Sequence, residues 1–217
     1  MKKNLLFFTV SVFSILCVSA QENGTCTWSG SGGDTNWTTA TNWSDCNSSY
    51  PSGELAIAKI TGNNASQTIT LNSDITLRQF EIMGSATGGT ITIQESGSSS
   101  LTFNGNYTKL LKITRGGMTL VFNCNVNAIK GNVSREMQVG KDSYGSANTV
   151  TFGENYTLTT TDDITFTFTD DASSDTANTT HLLNINGTVV SGTHGGSVAK
   201  RDIIFGAEHE FLIGQNA

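Results

Sequence analysis

From Glu54 onward, short apolar doublets at alternating positions recur along the chain, set apart by Gly, Ser, Asn and Asp. The clearest series is Ile82, Ile91 with Ile93, Leu101 with Phe103, Leu111 with Ile113, and Leu120 with Phe122, whose first members follow at steps of 9, 10, 10 and 9 residues. A period of two places both members of a doublet on one face of a strand. Gly88-Gly89, Ser96-Gly97-Ser98, Asn104-Gly105-Asn106 and Gly116-Gly117 supply turns between them. The pattern predicts an all-β domain of short strands.

A β-sandwich and a solenoid of parallel coils both satisfy that rhythm. The near-constant spacing favours the solenoid, because three strands then close one coil of about 29 residues, a length typical of repeat architectures. After Cys124 the rhythm loosens. Strands are expected at Val150 to Phe152, Ile164 to Phe168, Leu182 to Ile185, Ile203 to Phe205 and Phe211 to Ile213, with loops over Lys141 to Asn148 and Asp170 to Thr180. The expected organisation is a leader over 1–20, a Trp-rich cap over 21–53 and a β-solenoid over 54–217. The last strand has no evident polar cap, so the solenoid is expected either to continue beyond Ala217 or to meet a partner there.

Composition and charge narrow the compartment and the partners. Ser, Thr and Asn make up roughly a third of the chain, far above ordinary usage, and there is one Pro. The net charge of −6 argues against nucleic acid as a partner, since phosphates would be repelled. Lys2 and Lys3, the apolar run Leu5 to Val18 and the small residues Val18-Ser19-Ala20 predict a secretory leader cleaved after Ala20, and the mature chain would then carry 10 basic and 18 acidic side chains, or −8. The apolar run is too short and too interrupted to span a bilayer, and no later stretch approaches spanning length, so no membrane insertion of the mature chain is expected. In the oxidising compartment this implies, Cys26 and Cys46 are the natural disulfide, closing a loop of about 20 residues worth roughly 3 kcal/mol. Cys124, inside the alternation Thr119 to Cys124, reads as a buried inert thiol.

All three tryptophans fall in the segment Cys26-Thr27-Trp28-Ser29-Gly30 through Asn36-Trp37 to Asn42-Trp43. Followed by Pro51, Gly53-Glu54 and an alternating strand, this W-x-G, N-W, N-W pattern resembles the start of secreted bacterial β-helix proteins of the autotransporter-passenger-like and adhesin-like kind. The resemblance continues through Ile69 to Leu77 and Phe80 to Ile82, and covers about Trp28 to Phe122. It implies a single-stranded right-handed parallel β-helix in the medium or on the cell surface, and no particular activity. The departure from that family is at the C-terminal part of the sequence, in which neither an outer-membrane barrel nor a sorting domain is recognisable. Independently of the family, Trp28, Trp37 and Trp43 have two physical uses. They seal the end of a solenoid, or they form a ligand-binding platform on which sugar rings stack while Asp34, Asn36 and Asn42 bond hydroxyls.

Candidate chemistry lies in the later loops. Asp170, Asp171 and Asp175, with Asp162-Asp163 and His194 beyond, supply the paired carboxylates that glycoside hydrolysis needs. Their order resembles that of polygalacturonase-type hydrolases, although neither the Asn-Thr-Asp nor the Gly-His-Gly motif is intact. The same Asp170, Asp171 and Asp175 are candidates for Ca²⁺, without an EF-hand or nonapeptide repeat around them. His181, His194 and His209 show no zinc spacing, and no other metal site is expected. The leading expectation is therefore a secreted or cell-surface structural or adhesive module whose partner is a polysaccharide or a host or cell surface. The alternative is a carbohydrate-binding protein or a polysaccharide hydrolase or lyase on the same fold. A third reading, a flat Thr-rich face that binds an ordered surface such as ice, is weakened because the Thr positions hold no strict repeat in sequence.

Overall fold

In the computed structural model, which describes residues 20–62, 66–84, 88–105, 107–114, 117–129, 135–139, 147–161, 164–168, 181–191, 203–207 and 211–213, each expected doublet lies on a strand. The chain opens with β1 (Ala20–Trp28), a 3-10 turn (Ala40–Asn42) and β2 (Trp43–Ser44). Three-strand coils follow. The first holds β3 (Tyr50–Gly62), β4 (Gln67–Leu71) and β5 (Ile75–Leu77), and the second β6 (Gln79–Gly84), β7 (Thr90–Glu95) and β8 (Ser100–Phe103). The third holds β9 (Lys109–Ile113), β10 (Thr119–Asn123) and β11 (Asn125–Ala128), and the fourth β12 (Arg135–Val139), β13 (Thr149–Phe152) and β14 (Thr157–Thr160). Then come β15 (Ile164–Phe168), β16 (His181–Ile185) and β17 (Thr188–Ser191), and finally β18 (Ile203–Ala207) and β19 (Phe211–Ile213).

Corresponding strands stack into three parallel sheets: A runs β18-β15-β12-β9-β6-β3-β1-β2, B runs β19-β16-β13-β10-β7-β4, and C runs β17-β14-β11-β8-β5. The fold is thus a parallel β-solenoid, and the sandwich alternative is set aside because every pairing except β1 with β2 is parallel. Ile91 pairs with Leu120, 29 residues on, which is the coil length the doublets predict. Register puts the apolar residues into inward columns. Ile69, Ile93, Phe122, Phe152 and Ile185 form one in sheet B, and Leu77, Phe103, Ala128 and Thr160 one in sheet C. Both columns are buried. Phe80, Phe122, Phe152 and Phe166 run through the core with successive centroids 5.2 to 6.4 Å apart.

The segment expected as a separate cap is itself built as a partial coil. β1 pairs in parallel with β3 from Ala20↔Tyr50 to Trp28↔Ile60, and Asn36 bridges Thr70 in parallel, so sheets A and B both extend over it. The expected boundary at residue 53 falls inside β3.

Candidate functional site

At the capped end, β1 and β2 form an antiparallel pair that sets Trp28 opposite Trp43, with their rings edge to face at 5.0 Å. Trp43 lies 4.8 Å from Trp37, and Trp37 lies 6.3 Å from Phe80, the next ring of the core series. Trp28, Trp37 and Trp43 are 7%, 0% and 6% exposed. Two of the indole N–H groups are also used: Trp37 Nε1 donates to the Pro51 carbonyl at 2.9 Å and Trp43 Nε1 to the Trp37 carbonyl at 2.7 Å. A sugar-stacking platform needs an open ring face, and none of the three rings offers one. The arrangement is that of a seal over the first coil.

The polar residues around the rings bond one another. Asn42, fully buried, accepts from the Gly32 N–H at 2.7 Å through Oδ1 and donates through Nδ2 to Asp34 Oδ1 at 2.9 Å and the Asn36 carbonyl at 3.0 Å. Asp34 also accepts from the Asn36 N–H at 2.9 Å and the Thr39 hydroxyl at 2.9 Å. The backbone N–H of Asn36, then the Thr39, Asn42 and Asn36 side chains, hold the Asp34 carboxyl below its usual range against an opposing effect of desolvation. A Cβ on Gly32 would lie 2.6 Å from Asn42 Oδ1, so any larger residue here must push the Asn42 side chain out of this network. The Cys26–Cys46 disulfide forms as expected and ties β1 to the loop after β2. That loop holds Asp45, Asn47 and Ser48 at positive φ and borders an open cleft of about 540 Å³ that reaches Trp43.

Outward side chains divide by sheet. Sheet A carries charge: Lys112 Nζ lies 2.8 Å from Glu81 Oε1, Lys109 donates to Gln138 at 2.7 Å, and Lys59 and Glu136 sit in register beside them. The strands of sheet C contain no charged residue, and those of sheet B only Glu95, at the last position of β7. On sheet C, register aligns Thr76, Thr102, Asn127 and Thr159 in one row. On sheet B it aligns Thr90, Thr119 and Thr149 in one row and Thr68, Thr92, Val121 and Thr151 in the next. At the corner of sheets C and A, Glu22, Ser52, Gly53, Glu54 and the exposed Leu55 line an open groove, with Asn104 Nδ2 donating to Glu54 at 2.8 Å.

The catalytic and Ca²⁺ candidates Asp170, Asp171 and Asp175, together with His194, lie outside the described residues. His181 falls on β16. Among the described residues no group of three or more His, Cys, Asp or Glu is placed to hold a metal ion, and no helix is long and apolar enough to cross a membrane. Cys124 is buried and unpaired, its thiol pushed up to about 12 by desolvation first and by the Glu95 charge second. Comparison with protein families, curated proteins and solved structures returns no match to this chain.

Proposed function

We propose that the protein is an extracellular or cell-surface structural module that adheres through the outer faces of its solenoid. The observation that carries this reading is the partition of charge: the described strands of sheet C have no charged residue and those of sheet B only one, so repeated hydroxyl and amide groups meet solvent in rows. Such rows offer many weak contacts in fixed geometry, and their sum gives avidity without a deep pocket. The disulfide suits an oxidising compartment, and the leader-like first 20 residues agree with export. The test incubates the chain from Gln21 onward with insoluble polysaccharides and whole cells, scoring both retained protein and released oligosaccharide. Retention without release is the expected result, and no retention on any surface would overturn the reading.

The corner groove supports a second reading, a polysaccharide-binding or polysaccharide-cleaving protein. It sets two carboxylates, Glu22 and Glu54, along one open channel beside exposed apolar surface. Release of oligosaccharide that is abolished by Glu54→Gln would establish it.

A further inference from the structure

The threonines of sheet B hold no strict repeat in sequence, yet the structure brings them into a lattice. Successive coils differ in length, with Thr90 to Thr119 spanning 29 residues and Thr119 to Thr149 spanning 30, and strand pairing absorbs the difference. Two rows result, Thr90-Thr119-Thr149 and Thr92-Val121-Thr151, three coils deep, with Thr68 extending the second row by one coil. Parallel strands repeat at about 4.8 Å between coils, and alternate residues at about 6.6 Å along a strand, so the array has a fixed period in both directions. Val121 has the shape of Thr, which keeps the array's outline intact where a hydroxyl is missing.

Three properties of the array select its partner. Its side chains are β-branched and therefore stiff at χ1, which holds the hydroxyl and methyl positions without ordering on contact. Among the described residues the hydroxyls of Thr90, Thr92, Thr119 and Thr149 have no intramolecular partner, in contrast to Thr151, which accepts from Asn184 Nδ2 at 3.2 Å. No charge and no aromatic ring stands in the two rows. A flexible partner gains nothing from a two-dimensional period, and a sugar lattice is ordinarily met by aromatic faces, which the array lacks. Water itself is the remaining ordered lattice. A threonine hydroxyl offers a donor and two acceptors and so can occupy a water position, while the methyl beside it fills an apolar gap.

We propose that this Thr array on sheet B binds the surface of ice crystals. The inference uses the same sheet B rows as the adhesive reading but asks of them a two-dimensional lattice, which that reading does not need.

The test measures the freezing hysteresis of the chain from Gln21 onward and its partition into slowly growing ice. Thr119→Lys and Thr92→Lys place a charge in the array, and Thr159→Lys places the same charge on sheet C as a control. All three change solvent-facing side chains, and thermal melting confirms that each variant folds. The wild type and Thr159→Lys are expected to enter the ice and show hysteresis. In Thr119→Lys and Thr92→Lys partition should fall at least about tenfold, as when one element of a multivalent contact is lost. Should Thr119→Lys fail to fold, Thr92→Lys decides the same point. Exclusion of the wild type from ice to the level of an unrelated protein overturns the proposal, as does equal behaviour of the sheet B and sheet C variants. Retention on crystalline cellulose or chitin that Thr119→Lys abolishes, with no effect on ice, would assign the array to a polysaccharide lattice instead.

Discussion

Trp37 is the residue on which the capped end turns, because it touches both layers of the seal: Trp43 lies on one side, Phe80 on the other, and its N–H closes on the Pro51 carbonyl. Removing so large a buried side chain costs about 3–5 kcal/mol. Trp37→Ala is therefore expected to lose that much in urea unfolding, and Trp37→Phe about 1–3 kcal/mol for the orphaned carbonyl and the smaller ring. A loss below 1 kcal/mol for Trp37→Ala would show that the ring is not part of the load-carrying core. Cys124 makes a pH prediction. Its thiol is raised from an ordinary value of 9.0 to about 12, so above pH 9 the unfolded chain has released a proton that the folded chain retains. The contribution is fully present below pH 9 and is lost as the pH climbs toward 12. Stability measured across that window should fall more steeply in the wild type than in Cys124→Ala, and native Cys124 should resist thiol reagents at pH 8 until the chain is unfolded. Rapid labelling of the native protein would contradict its burial.

Between residues and the whole chain, the elements differ in how openly the sequence declares them. β7 through β10 are legible because each carries two large apolar residues two positions apart, and β13, β15, β16, β18 and β19 are found where the later doublets lie. β11, β12 and β14 are not. β11 fills its column with Val126 and Ala128, β12 sets Met137 and Val139 among Arg135, Glu136 and Gln138, and β14 turns Leu158 and Thr160 inward. Where the sheet C column passes from Leu77 and Phe103 to Ala128 and Thr160, the apolar doublet disappears while the backbone ladder stays intact. The cap shows a related limit. Asp34, Asn36 and Asn42 read equally well as sugar ligands or as turn residues, and only their mutual hydrogen bonds decide between the two. The Thr rows escape a reading by spacing, since register across coils of unequal length creates them. Gly32 tests the cap as an element. Its Cβ would meet Asn42, Thr39 and Thr41 at 2.6 to 2.8 Å, so Gly32→Ala should cost about 1–3 kcal/mol of overpacking, measured by urea denaturation. An unchanged midpoint would mean the turn yields more readily than its hydrogen bonds suggest.

Stacked coils touch chiefly their neighbours, so the solenoid's stability is close to a sum of coil terms and coil–coil interfaces. The capped end closes with a disulfide, three interlocked rings and a polar network, while sheet A meets its outer edge in a strand of only two residues, β2. An edge strand this short gives little template for a further chain to pair with, which protects that edge of sheet A from edge-to-edge association. It also makes the seal a local device. Replacing Cys26 and Cys46 together by Ala removes a constraint over 20 residues, worth about 3 kcal/mol by loop-closure entropy. In a globular core that loss would spread over all amides, since they open together. In a solenoid it should fall first on β1, which the disulfide ties down, and on β3, which pairs with it, then fade through β6, and leave β10 and β13 nearly unchanged as long as partial opening is cheaper than global unfolding. Native-state hydrogen exchange resolved by strand reads this directly. Graded loss along sheet A from the capped end is the expected outcome. Equal loss in every strand would mean that the coils unfold as one unit and that the seal stabilises the whole rod rather than its end.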